Sequence, residues 1–134
     1  MKTYTIKTVR EQLRYDTDRL VVEAGKPFEV VFENPDAMPH NLVFVQPGTL
    51  QEVATAVQTQ APDKLDSQGR AYVPDNDSRV IAATKMLEAG KSEKLSLTAP
   101  DKEGTYPYVC TFPGHWAILK GESVVTKDVK GWLA

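Results

Sequence analysis

Cysteine is almost missing from this sequence: Cys110 stands alone among 134 residues, so no internal disulfide can brace the fold. Histidine is nearly as scarce, with only His40 and His115. No stretch approaches the ~18–20 consecutive apolar residues of a membrane-spanning helix. The opening MKTYTIKTVREQL also lacks the apolar run of a secretory signal, so the chain is expected to begin directly in a folded segment. An excess of charge of one sign is absent as well. The 16 Lys and Arg face 18 Asp and Glu, mixed along the chain, and leave a net charge of -2. No basic stripe exists to neutralise a phosphate backbone, which speaks against nucleic acid as a partner.

What remains is the composition of a soluble globular protein, 41% hydrophobic and 25% charged. That is too apolar for a disordered chain. The length suits one hydrophobic core, so residues 1–134 are expected to form a single domain.

Period-two alternation dominates the first third. Tyr4 to Arg10 alternates, Leu20 to Val22 leads to the turn Gly25-Lys26-Pro27, and Phe28, Val30 and Phe32 then fall on one strand face. Asn34-Pro35-Asp36 marks a loop, after which His40 to Val45 reads as a strand with His40 at its mouth. Leu50, Val53, Ala54 and Val57 recur at helical spacing, predicting one short helix over 50–59 with Thr49 as its cap. Ala61 to Ser78 is rich in turn formers and reads as a loop crossing one end of the domain. Short strands are expected again at 79–82, 93–97, 105–110 and 122–126. Many short strands with one helix predict a β-sandwich. In the 105–110 strand, Tyr106, Tyr108 and Cys110 share a face that the two tyrosines mark as interior. Pro107 offers no ladder N–H, so the strand has an edge or an irregularity there.

The chemistry-bearing residues converge on Cys110-Thr111-Phe112-Pro113-Gly114-His115. A Cys-x4-His spacing alone is weak. Its position is stronger evidence, because Cys110 closes a strand, Pro113-Gly114 turns the chain, and His115 returns beside the thiol. His40 opens a strand able to lie next to the 105–110 strand. Together they form a His2Cys set, the ligand set of trigonal blue-copper sites. A lone Cys is usually a buried hydrophobe and a lone His a surface or core residue, but the joint arrangement reverses that expectation. A soft thiolate and two imidazoles suit both Cu(I) and Cu(II).

Tyr72 to Gly121 resembles azurin and auracyanin-type cupredoxins, through Asp77-Ser78-Arg79-Val80-Ile81-Ala82, Thr84-Lys85 and above all Cys110 to His115. Met38-Pro39-His40-Asn41 resembles the family's first-ligand motif, and a weaker similarity runs from Leu13 through Asn34. The resemblance implies an all-β, Greek-key cupredoxin sandwich of about 7–8 strands, with one short helix and a long loop inserted near residues 48–78. It implies one type 1 copper ion held by His40, Cys110 and His115. Asn41 and Phe112 are then backbone N–H donors to the Cys110 sulfur, and the Asn41 side chain ties the two ligand loops through Thr111.

The departures are equally specific. Azurin-like proteins place a methionine four residues after the last histidine, where this sequence has Leu119, which cannot donate to copper. Neither Met38 nor Met86 stands where the family supplies its thioether, and the Pro39 carbonyl is left as a distant weak contact. The azurin disulfide is absent. Tyr106 resembles the tyrosine-corner position, with simple core packing as the alternative.

In this family the last histidine is the electron gate, so His115 is expected to show a ring edge, with Pro39, Pro113, Gly114 and Trp116 around it. Trp116 either packs into the domain or anchors a partner, and docking is the reading taken. These expectations sum to one-electron transfer at high potential with transient redox-protein partners, no substrate chemistry and no membrane insertion. Other readings are a copper carrier or storage module, or the copper domain of a larger redox enzyme. A Cys110–His115 nucleophile pair lacks a third group, and structural zinc lacks a fourth ligand. The family works in the periplasm or outside the cell, which implies that a signal or a preceding domain has been removed from this chain.

Overall fold

Alternating apolar side chains need two sheets to hide one face each, and the computed structural model, which describes residues 1–134, has them. Eight strands occur in chain order: β1 (Lys2–Lys7), β2 (Arg19–Glu23), β3 (Pro27–Asn34), β4 (Val43–Val45), β5 (Val80–Ala83), β6 (Lys91–Thr98), β7 (Gly104–Val109) and β8 (Lys120–Thr126). Helix α1 (Leu50–Ala56) follows β4, and α2 (Val129–Leu133) ends the chain. One sheet has the order β1-β3-β6 and the other β2-β8-β7-β4-β5. No helix is long and apolar enough to cross a membrane.

The main core lies between the sheets. Phe28, Val30 and Phe32 of β3 meet Leu42, Phe44, Tyr106, Tyr108 and Cys110 in one cluster of 16 buried residues. The sandwich and the inward face of β7 are thus as expected. The odd-numbered residues of β4 point the other way. Val43 and Val45 join Val53 of α1, Val73, Ala83 and Val109 in a second cluster. Helix α1 therefore covers the outer face of the five-stranded sheet, which explains why Val43-Phe44-Val45 is apolar without alternation.

Several expected boundaries move, each for a local reason. Strand β1 ends at Lys7 because the chain turns beyond Thr8, whose hydroxyl donates to the buried Asn34 Oδ1 at 2.7 Å, and Glu11 takes a φ of 62°. His40 is not in β4; it makes one isolated antiparallel bridge with Leu87. Helix α1 stops at Ala56, and Thr49 makes no side-chain cap bond, its hydroxyl donating instead to the Gln46 carbonyl at 2.7 Å. Helix α2 was not expected, since Gly131 weakens any helical signal there, but Asp128 accepts the Gly131 N–H at 3.0 Å and caps it. At Pro107 the pairing of β7 with β4 has already stopped, since its last partner is Tyr108. The 61–78 loop is not merely superficial: Ala71, Tyr72 and Val73 are buried, and Asp66 and Arg70 pin it by an ion pair at 2.7 Å.

Candidate metal centre

At one end of the sandwich two loops meet, one leading into β4 and one joining β7 to β8. His40 belongs to the first. Its N–H donates to the Leu87 carbonyl at 3.1 Å and its carbonyl accepts from Leu87 N–H at 2.9 Å. Leu42 N–H donates to Thr84 Oγ1 at 3.0 Å, and the Asn41 carbonyl accepts from the buried Tyr15 hydroxyl at 2.8 Å. The backbone on both sides of His40 therefore has little freedom.

Cys110 and His115 belong to the second loop, which is folded on itself. His115 N–H donates to the Phe112 carbonyl at 3.0 Å, Leu119 N–H to the His115 carbonyl at 2.9 Å, and Cys110 N–H to the Leu119 carbonyl at 3.0 Å. Gly114 permits the turn because its φ is +87°, in the left-handed region that side chains rarely adopt. Gln58, just past α1, clamps the loop from outside. It accepts the Gly114 N–H at 2.9 Å and donates to the Thr111 carbonyl at 3.3 Å.

The two loops are joined by a reciprocal pair of hydrogen bonds. Asn41 Nδ2 donates to Thr111 Oγ1 at 2.8 Å, and Thr111 N–H donates to Asn41 Oδ1 at 2.9 Å. The Thr111 hydroxyl then donates to the Tyr72 carbonyl, bringing the 61–78 loop into the same network.

The result is a buried triad. Cys110 Sγ lies 3.8 Å from His40 Nδ1 and 3.8 Å from His115 Nδ1. All three ligand atoms lie within 4.8 Å of one another. Three donors at about 2.0–2.3 Å from a common ion stand some 3.5–4 Å apart when roughly coplanar with it, and the two sulfur–nitrogen separations match that spacing. A thiol and two imidazoles are also the donor set that copper favours. Cys110 and His40 are fully buried, whereas His115 keeps 4% of its surface exposed.

Burial pushes the Cys110 thiol up to about 11, while the Asn41 and Phe112 backbone N–H groups at the sulfur pull it down. Without a cation the thiol stays protonated at neutral pH, and a bound metal ion removes that proton. Burial lowers the His115 pKa, and the neighbouring His40 lowers it further against an opposing pull from Asp36. Both effects favour the neutral imidazole that a metal requires. Burial alone would raise the Asp36 carboxyl, but hydrogen bonds from His40, Glu11 N–H and Ala37 N–H outweigh it and hold the group below its usual range.

Around the triad, Leu119 is fully buried in the main core cluster together with Cys110. Phe112 packs on the His115 ring with centroids 4.8 Å apart. Trp116 is half-buried against the Val43–Val109 cluster, Pro113 is half-buried, and Gly114 is exposed. Ile118 (61% exposed) and Met38 (43%) are apolar surface, a role the sequence reading gave to neither. Gln58 and Asp36 were also missed. Gln58 carries no signal of its own, whereas Asp36 stands four residues before a candidate ligand inside a run of turn formers.

Comparison with known proteins gives a consistent picture. A family model described as copper binding proteins, plastocyanin/azurin family, matches residues 2–126. Auracyanin-A of Chloroflexus aurantiacus is 31% identical over 126 residues, covering 92% of this chain and 74% of that one. Azurin of Pseudomonas aeruginosa is 33% identical over 119 residues, covering 83% and 76%. Among solved structures, the dithionite-reduced auracyanin of Roseiflexus castenholzii superposes with a TM-score of 0.77 at 37% identity, covering 92% of this chain and 96% of that one. Auracyanin A, described as a "blue" copper protein, superposes with a TM-score of 0.81 at 31% identity, covering 92% and 98%.

Proposed function

The chain belongs to the plastocyanin/azurin family of copper-binding proteins, and on that premise we propose that it transfers single electrons through one copper held by His40, Cys110 and His115, with Leu119 as a non-ligating axial neighbour. The observation that supports this most is the buried thiol lying 3.8 Å from two imidazole nitrogens. When bound, copper supplies a one-electron couple between Cu(I) and Cu(II). Everything else is done by the chain. Cys110 and the two imidazoles offer donors that suit both oxidation states. Asn41 and Phe112 direct N–H groups at the sulfur, which lowers its basicity. The Asn41–Thr111 pair and the Gln58 clamp hold the two loops together, so the donors need not move when an electron arrives. That immobility favours electron transfer over cargo exchange, because a carrier must release its ion.

His115, which keeps 4% of its surface exposed, is the proposed electron gate, and Trp116, Pro113 and Gly114 form the proposed docking rim for transient redox-protein partners. An extracytoplasmic location, periplasmic in a bacterial cell, is part of the same reading and rests on the family resemblance.

The Leu119 side chain gives the proposal its direction in potential. A thioether or an admitted water would stabilise the charged oxidised site more than the neutral reduced one, and a buried leucine provides neither. Voltammetry of the copper protein is expected to give a reversible one-electron couple that falls in Leu119→Met. Each tenfold change in the oxidised-to-reduced ratio moves such a couple by about 59 mV. An equal or higher potential in the variant means that another donor, such as the Pro39 carbonyl, already fills the axial role.

A further inference from the structure

Both nitrogens of the His40 ring are engaged. Nδ1 faces Cys110 Sγ, and Nε2 lies 2.8 Å from Asp36 Oδ2. Asp36 is 4% exposed and His40 not at all. The other carboxylate oxygen, Oδ1, accepts the N–H of Glu11 at 3.1 Å and of Ala37 at 2.9 Å. Asp36 N–H donates to Asn34 Oδ1 at 3.2 Å. Asn34 in turn donates to the carbonyls of Met38 at 2.9 Å and Leu87 at 2.8 Å, so the loop carrying the carboxylate is fastened at several points. His40 is the only basic side chain within ion-pair distance of Asp36.

We propose that Asp36 is a positioning residue of the copper centre, which takes the Nε2–H of His40, keeps Nδ1 turned toward Cys110, and lowers the reduction potential through its fixed negative charge. This rests on His40 being a ligand, as proposed above. A neutral imidazole has one N–H, and a carboxylate can only accept. The proton therefore sits on Nε2, and the Nδ1 lone pair is free for the metal. The charge acts in a second way. Thiolate with Cu(II) keeps a positive charge, whereas thiolate with Cu(I) is neutral, so a nearby anion favours the oxidised form. Burial leaves that attraction poorly screened by solvent or salt. Asp36 thus acts in the direction opposite to Leu119, and the potential of this domain reflects the balance of the two.

The test compares copper-loaded wild type with Asp36→Asn and Asp36→Ala, by optical spectrum and voltammetry, and reads the His40 tautomer in the copper-free wild type by nitrogen-15 NMR. Both variants are expected to keep the thiolate-to-copper band and to move the couple upward. The expected size is at least tenfold in the oxidised-to-reduced ratio at a fixed potential, or about 59 mV. The free protein is expected to carry its His40 proton on Nε2. An unchanged or lowered potential in a variant that keeps the band overturns the proposal, as does an Nδ1-protonated His40 in the wild type. If neither variant folds, the tautomer decides. A wild type that takes up Cu(II) without a thiolate band refutes the ligand assignment instead, and the tautomer still judges the Asp36–His40 contact.

Discussion

His115 differs from His40 in having an outlet. It keeps 4% of its surface exposed where His40 has none, and the neighbouring Gly114 is exposed. Removing its ring opens a hole that small donors can enter from solvent, whereas removing His40 leaves one sealed behind Asp36. His115→Gly is therefore expected to lose the wild-type spectrum and regain a thiolate-to-copper band when imidazole is added, with His40→Gly responding far less. Unchanged spectra on adding imidazole to His115→Gly would show that His115 is not the accessible ligand. Cys110, His40 and His115 were legible in the sequence because scarcity made them so: one cysteine and two histidines in the whole chain leave few ways to build a site. Asn41 and Thr111 were legible through family resemblance alone. Asp36 was read only as part of a turn, because its role depends on how the loop from Asn34 to His40 folds back.

The elements position these residues by close packing as much as by hydrogen bonds. Strand β8 pairs with β7 in the register Gly121 with Tyr108, and a Cβ at Gly121 would run into the Tyr108 ring. Tyr108 is fully buried, packs in tilted contact with the Tyr15 and Phe44 rings, and donates its hydroxyl to the Thr17 carbonyl, so it cannot yield cheaply. Gly121→Ala is expected to destabilise the copper-free protein by ~1–3 kcal/mol through overpacking. Urea denaturation measures this, and an unchanged midpoint would mean that the ring has room to move. The strands themselves were largely legible, since Phe28, Val30 and Phe32 alternate as a half-buried strand must. His40 was placed at the mouth of a strand because the apolar run Leu42 to Val45 follows it so closely, whereas β4 begins only at Val43 and bonding to Leu87 leaves His40 in an isolated bridge. Tyr106 settles in the tyrosine-corner arrangement, its hydroxyl donating to the Lys102 carbonyl at 2.7 Å, and it also packs in the core. The buried part of the 61–78 loop was illegible, because Ala71-Tyr72-Val73 shows no period: Ala71 and Tyr72 pack with Val57 and Phe112, and Val73 joins the Val43–Val109 cluster.

Across the whole molecule, one main core between two sheets holds the ligands at one end, and the near-balanced charge of -2 gives little long-range steering. Small, transient encounters are what electron-transfer partners need. Trp116 is the finest test of the docking rim, since it is half-buried and is not a ligand. Trp116→Ala is expected to slow electron exchange with a redox partner more than it moves the potential. Equal exchange rates in stopped-flow mixing would assign Trp116 to packing against the Val43–Val109 cluster alone. The claim beneath all of these is that Cys110, with His40 and His115, holds one copper. Titration of the copper-free protein with Cu(II), followed in the visible range, tests it most directly. An intense blue thiolate-to-copper band that saturates at one equivalent, and is abolished in Cys110→Ser, is the predicted result. A wild type that stays colourless, or a Cys110→Ser variant that keeps the band, would contradict it.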